Sequence, residues 1–405
     1  MQTRLSAELL ATPLGKTANQ VIRSCVHCGF CNATCPTYQL LGDELDGPRG
    51  RIYQIKQVLE GGPATRSLQQ HLDRCLTCRA CETTCPSGVE YHKLLDIGRE
   101  LVEQQVPRPP VKRLQRRLIQ FVFSETARIK PLLSLARLVR PLLPHTLKKY
   151  IPPLRRLPSF QPGKHRRRML LLDGCVQPAA APHINNFAIR LFDRLGIKLD
   201  TVSGSGCCGA LHFHLGDTQR ARQSARRNID AWWPAIEQGA EAVVSTATGC
   251  TPMLKDYATL LASDPVYAQR ARRLADMTRD LGEVLRDENL DNLKPAKGRR
   301  IAFHSPCSLQ HAQQLDGVVE DILTRAGYIL TPVRDKHLCC GSAGTYSILQ
   351  PALSKQLARN KLDALQEKHP EIIATANIGC LLQLQSGTDI EVVHWVELLS
   401  DPASV

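Results

Sequence analysis

Cys25-Val-His-Cys28-Gly-Phe-Cys31-Asn-Ala-Thr-Cys35-Pro36 recurs further along the chain as Cys75-Leu-Thr-Cys78-Arg-Ala-Cys81-Glu-Thr-Thr-Cys85-Pro86. In each copy three cysteines with two residues between neighbours wrap one compact group from a single tight loop. The fourth, followed by proline, sits too far along to reach the same group. Zinc takes four ligands per ion and gives no reason for a third cysteine at the short spacing, or for the proline after each fourth.

The doubled run is that of two-cluster bacterial ferredoxins, in which each fourth cysteine ligates the other cluster. On that rule Cys25, Cys28, Cys31 and Cys85 hold one 4Fe–4S cluster, and Cys75, Cys78, Cys81 and Cys35 hold a second. The crossing staples the two halves together and sets the clusters close, as electron passage requires. His27, Phe30, Leu76 and Thr77 flank the ligands, where they shield or hydrogen-bond the sulfurs and tune potential. Between the runs Ile52, Ile55, Val58 and Leu59 fall at helical spacing. Residues 1–105 are therefore expected to form an α-helical two-cluster domain.

The totals support metal or redox chemistry. The chain has 405 residues, enough for two or three domains, with 43% apolar and 22% charged residues. Sixteen cysteines are many for a reducing compartment, where disulfides are disfavoured. No apolar run approaches the roughly 20 residues that span a bilayer. The N-terminal residues lack the unbroken apolar stretch of a signal peptide, so a cytoplasmic location is expected.

The formal charge of +14 is local, because between Arg108 and Arg168 seventeen Lys and Arg face one acidic residue, Glu125. Prolines 131, 141, 144, 152 and 153 divide this stretch. Residues 106–167 read as a basic linker with one or two short amphipathic helices. A zinc-stabilised module gripping nucleic acid would show steeply salt-dependent binding. Leu, Ile and Phe interleaved with the basic residues instead favour an anionic membrane surface or a docked partner, and no nucleic acid is expected.

From Met169 onward, short apolar runs alternate with helical stretches at 169–173, 197–202 and 242–246, then at 301–304, 328–333 and 371–375. This order suggests βαβ units around mostly parallel sheets. It occurs twice, in repeats expected at 168–298 and 299–405. Cys175, the pair Cys207-Cys208 with Gly209, and Cys250 are matched by Cys307, Cys339-Cys340 with Gly341, and Cys380. Asn228 and Asn360 each lie 20 residues beyond their pair. Four thiols converge per half, suiting an iron–sulfur cluster, a zinc ion or an unusual cluster bridged by the vicinal pair, with buried inert thiols as the bland alternative.

Other features in this half are weaker. Gly204-Ser-Gly206-Cys-Cys-Gly209 fits a dinucleotide fingerprint with Asp230 some way on, but the second repeat drops its first two glycines. His212, His214, His304, His311 and His337 lie near these cysteines as ligands, proton carriers or hydrogen-bonded structural residues. Trp232-Trp233 reads as core packing. The overall class is α+β, a helical two-cluster domain followed by a duplicated α/β cysteine-rich domain.

The segments CVHCGFCNATCPTYQLLGDELDGPRGRIYQIKQVLEG, DRCLTCRACETTCPSGVEYHKLLDIGRELVE, NNFAIRLFDRLGIK, RRNIDAWWPAIEQGAEAV, LCCGSAGTYSI and TANIGC resemble the iron–sulfur subunits of glycolate oxidase (glycolate dehydrogenase). More broadly, the second half resembles the CCG domain of heterodisulfide reductase, anaerobic glycerol-3-phosphate dehydrogenase and lactate-utilisation proteins. The resemblance implies a three-protein complex in which flavoprotein subunits oxidise glycolate to glyoxylate. This chain would carry no flavin and no catalytic residue, and would deliver electrons to membrane quinone at the cytoplasmic face of the inner membrane. An equivalent subunit of a glycerol-3-phosphate or lactate enzyme is the alternative. In heterodisulfide reductase each repeat ends in Cys-x-x-Cys, whereas here Met253 and Gln383 take the last position. That departure puts five-thiol chemistry in doubt.

Overall fold

The computed structural model describes residues 1–155, 157–290, 293 and 298–400. Its first part is helical. Thr12 accepts from the Gly15 amide to start helix Pro13–Ser24, and Pro48 occupies the first turn of helix Pro48–Leu59. These helices pack with Arg66–Asp73 and Tyr91–Gln105 around Ile22, Ile55, Leu72, Leu94 and Leu95. Gly98 permits the closest approach, since a Cβ there would lie 2.7 Å from the Ile55 side chain.

The basic stretch differs from expectation. It forms two 14-residue helices, Pro110–Phe123 and Thr126–Val139, and Pro131 lies inside the second without ending it. Several of its charges are structural pins, not free surface. Arg108 and Arg116 both pair with Asp73 and Glu103, Arg155 with Glu397, Arg167 with Glu241 and Glu288, and Arg168 with Asp200.

Two four-stranded parallel sheets follow. Strands β1 (Arg167–Leu171), β2 (Ile197–Thr201), β3 (Val243–Ser245) and β4 (Thr278–Asp280) run in the order β2-β1-β3-β4. Strands β5 (Arg300–His304), β6 (Ile329–Leu330), β7 (Ile372–Thr375) and β8 (Glu391–His394) repeat that order as β6-β5-β7-β8. In each sheet the chain reverses its direction of travel across the central strand pair. At such a switch point the carboxyl ends of neighbouring strands open a crevice. The cysteines follow those ends: Cys175 after β1, Cys207 and Cys208 after β2, Cys250 after β3, and the second repeat likewise.

The sheets share one hydrophobic core, in which Leu171, Phe187 and Val244 join Ile301, Ile373 and Trp395. Helix Trp395–Ser400, from the second repeat, returns to pack on His183–Arg194 of the first. Tyr328 donates to Leu398 O at 2.8 Å, and His394 Nε2 lies 2.9 Å from Thr246 O. Among the described residues no helix is long and apolar enough to cross a membrane.

Candidate metal centres

In the helical part, the two cysteine runs build paired cavities of nearly equal size, about 420 and 390 Å³ including their open mouths. The first is lined by Cys25, Cys28, Cys31 and Cys85, with Cys81 on its wall. The second is lined by Cys35, Cys75, Cys78 and Cys81. Each fourth cysteine thus stands beside the other run's first three. Pro48, Cys81 and Tyr91 line both cavities, so a single layer of side chains separates them.

The loops owe their shape to left-handed residues at matching places. His27 (φ 61°) and Gly29 (φ 88°) in the first run correspond to Thr77 (φ 54°) and Arg79 (φ 59°) in the second. Left-handed residues between right-handed ones turn successive amide N–H groups into one concavity, the nest that favours phosphates and iron–sulfur groups. Thr77 is β-branched, and that conformation costs of order 1–3 kcal/mol. Arg99 holds it there, donating to Thr77 Oγ1 at 2.9 Å, Cys75 O at 2.8 Å and Leu72 O at 3.1 Å.

A residue that sequence reasoning missed lies behind the second cavity. Arg51 is 1% exposed and donates to His71 O at 2.8 Å, Thr37 Oγ1 at 3.1 Å and Asp46 Oδ1 at 3.4 Å. Asp46, fully buried, is also met by Arg74 at 2.7 Å and His71 at 3.0 Å. Burial opposes the Arg51 charge, but Cys75, Tyr91, Cys35 and Asp46 around it raise its pKa above the ordinary value. Burial pushes the Cys31 thiol up to about 11, with Cys25 adding to the shift, and pushes Cys78 and Cys81 well above the usual thiol range. Crowded thiols of this kind ionise together when a cation joins them. The thiol set, the inward amides and the buried guanidinium all fit an anionic metal–sulfur group.

In the first repeat Cys175 and Cys208 both donate toward Cys207, holding it well below the usual thiol range, and Cys208 also contacts Cys250. The Gly209 amide lies 3.4 Å from Cys207 Sγ. Asn228 and Tyr257 lock the pair: Asn228 Nδ2 donates to Cys207 O at 3.0 Å, and Tyr257 OH donates to Cys208 O at 2.7 Å. In the second repeat Cys307 and Cys339 sulfurs are 4.0 Å apart, and contacts run on through Cys340 to Cys380. Gly341 (φ 82°) is obligatory, since a Cβ there would lie 2.6 Å from Ser354 O and 2.9 Å from Leu357 Cβ.

The other sequence candidates scatter. Asn360 does not repeat the role of Asn228, for it is exposed and bonds Gln356. Met253 is core and Gln383 bonds Ser354. Gly206 donates to Asn228 and Asp230 accepts from Tyr267, so the apparent dinucleotide loop serves the cysteine pair. His214 faces Asp96 at 3.9 Å, and His212 is buried near Cys207. His311 lies 2.9 Å from Thr83 Oγ1 and 3.1 Å from His337 O, joining the second cysteine run to the second repeat. His304 is fully buried within 4.8 Å of Cys340 and Cys380. Trp232 is core, while Trp233 lies beneath Arg270.

Crossed four-thiol cradles joined to a duplicated strand-end thiol site define an iron–sulfur electron-transfer protein. The 4Fe–4S dicluster domain model matches residues 21–89, and the cysteine-rich domain model matches residues 169–255 and 301–385. The glycolate oxidase iron-sulfur subunit of Escherichia coli (strain K12) is 50% identical, over 98% of both chains. This chain belongs to the family of glycolate oxidase iron–sulfur subunits. The probable glycolate oxidase iron-sulfur subunit of Bacillus subtilis (strain 168) is 29% identical over 94% of both. Lactate utilization protein A of Bacillus licheniformis is 27% identical over 56% of this chain and 96% of its own.

Proposed function

We propose that this chain carries electrons within a glycolate-oxidising complex, receiving them from flavoprotein subunits that convert glycolate to glyoxylate and passing them toward membrane quinone. Cys25, Cys28, Cys31 and Cys85 hold one 4Fe–4S cluster, and Cys35, Cys75, Cys78 and Cys81 hold the second. Such a cluster supplies reversible one-electron chemistry when bound. The observation that carries this reading is the sorting of eight thiols into two cradles with a common wall. The chain's own part is to hold the thiolates, aim amide N–H groups inward, place the Arg51 charge nearby and exclude water with Leu76, Ile52 and Val89. The groups Cys175, Cys207, Cys208, Cys250 and Cys307, Cys339, Cys340, Cys380 form third and fourth metal sites.

Helices Pro110–Phe123 and Thr126–Val139 dock the subunit on the anionic cytoplasmic face of the inner membrane. Val111, Leu114, Leu118 and Phe121 form one exposed apolar stripe, Leu132, Leu135 and Leu138 another, and Lys112, Arg113, Arg117 and Lys130 stand exposed beside them. Anaerobically purified protein tests the whole reading. It should contain iron and sulfide, show paramagnetic signals after dithionite, fail to oxidise glycolate alone, and restore electron flow when mixed with its flavoprotein partners. Glycolate oxidation by the lone chain, or colourless iron-free protein, refutes it; partners specific for lactate or glycerol 3-phosphate would reassign the substrate.

A further inference from the structure

The repeats keep one spacing from the first strand to the vicinal cysteines, so differences in that stretch mark where the chemistry diverges. Three residues before the first cysteine the first repeat has Leu172 and the second has His304. Leu172 is core, packed among apolar side chains. His304 is equally buried, 1% exposed, as the last residue of β5 opposite Thr375. Neither ring nitrogen has a hydrogen-bond partner. A buried polar atom without a partner costs about 1–3 kcal/mol, and such atoms are rare. One ring nitrogen, Cys340 Sγ and Cys380 Sγ lie within 4.8 Å of one another. Cys307 and Cys339, 4.0 Å apart, complete the group.

A second substitution between the repeats falls beside the same site. Gly209 rests on Ala221 and Ser224, and Gly341 on Ser354 and Leu357, so the place of Asn228 in the first repeat is taken in the second by Lys361, 3% exposed, with Nζ donating to Asp335 O at 2.8 Å and Lys336 O at 3.2 Å. Those partners are neutral carbonyls, and the opposite charges that face its ammonium are the thiols of Cys340, Cys339 and Cys307 together with the Asp335 carboxylate. Cys307 and Cys339 also pack with Leu76 and Cys78 of the second cysteine run. The second repeat's site therefore adjoins the second N-terminal cradle directly.

We propose that the second repeat holds an iron–sulfur centre with mixed ligands, four thiolates from Cys307, Cys339, Cys340 and Cys380 and a nitrogen from His304, while the first repeat's site is all-thiolate. This rests on the electron-carrier reading above. Imidazole is neutral, so both sites carry the same four thiolates, and the buried Lys361 ammonium beside the second favours its reduced, more negative form. The second site is thus the more easily reduced of the two and accepts an electron first in a reductive titration.

The test is pulsed EPR of the full chain, purified anaerobically and reduced with dithionite, with and without ¹⁵N-histidine. The wild type should show a strongly coupled histidine nitrogen that changes on labelling. His304→Leu, which adopts the residue the first repeat carries at that place, should abolish the coupling while the N-terminal cluster signals stay unchanged. His304→Cys should keep the iron and lose the coupling, so a folding failure of one variant leaves the other decisive. No histidine coupling in the wild type, coupling that survives in His304→Leu, or zinc in the site overturns the proposal. Loss of the N-terminal cluster signals from the wild type would instead mark failure of the wider reading.

Discussion

Replacing Arg51 by methionine is expected to loosen one of the two N-terminal cradles and spare the other. Its guanidinium and Asp46 are both buried, 3.4 Å apart. At that separation and an effective dielectric of about 20, two unit charges attract by about 5 kcal/mol. Asp46 keeps Arg74 at 2.7 Å and His71 at 3.0 Å after the substitution, which brings the net loss to about 3 kcal/mol, the lower end of the cost of breaking a buried pair. A loss of about 3 kcal/mol makes local opening roughly a hundredfold more frequent. Arg51 lines the cavity of Cys35, Cys75, Cys78 and Cys81 and not its neighbour. An iron chelator that reaches a cluster only through local opening should therefore strip this one about a hundredfold faster in Arg51→Met, with the other unaffected. A Mössbauer or EPR time course separates the two. Arg51→Lys keeps the charge but loses the three-acceptor fork, so its rate should fall between. Equal stripping of both clusters, or a wild-type rate in Arg51→Met, refutes the reasoning.

The remaining predictions concern other links in the structure. Cys85→Ala should perturb the cluster of Cys25, Cys28 and Cys31 while leaving that of its own run, and EPR spectra of the variant decide which signal changes. Gly341→Ala should destabilise the C-terminal half by several kcal/mol, because left-handed strain of about 1–2 kcal/mol adds to the backbone clash at 2.6 Å. Gly209→Ala, whose nearest contacts are 3.2 and 3.3 Å, should be milder, and thermal midpoints compare the two. Burial raises the Asp280 carboxyl to about 6 from 3.8. An acid raised in the folded state stabilises it fully only below about pH 4, and that contribution fades as pH rises through about 6, by about 3 kcal/mol in all. Asp280→Asn keeps the helix cap and can donate to the unpartnered Gln313 Oε1, so its stability relative to wild type should grow from pH 4 to pH 7 in thermal melts.

The cysteine spacing could be read because loop reach limits which thiols meet on one cluster, a constraint local to a dozen residues. The six apolar runs between 169 and 375 appear as β1, β2, β3, β5, β6 and β7 for a similar reason: buried parallel strands are continuous apolar stretches. Strands β4 and β8 escaped. Thr278-Arg279-Asp280 has no apolar pattern, and β8 offers only Val392 and Val393 between Glu391 and His394. Both lie at sheet edges, where half the pairing suffices. Pro131 misled because its helix is held by packing at Ile129 and by Arg137 donating to Ala179 O and Ala180 O, contacts that lie elsewhere in the chain. Nothing in the sequence around Arg51 and Lys361 marks them as buried, since their burial comes from tertiary partners. The contrast of His304 with Leu172 was visible in the repeat register, but only geometry shows that both nitrogens of the His304 ring are orphaned and that the ring lies against Cys340 and Cys380.

The return of helix Trp395–Ser400 onto helix His183–Arg194 sets an order on biosynthesis. Roughly 200 residues separate the two partners, so at about 5–20 residues per second the apolar face of the earlier helix waits about 10–40 s on the ribosome for its cover. Until then the strand-end thiols of both halves stand on an unfinished scaffold. On the proposed reading, loading of metal into the C-terminal half is therefore a post-synthetic event, and cells short of chaperones should accumulate chains loaded at their beginning and bare at their end.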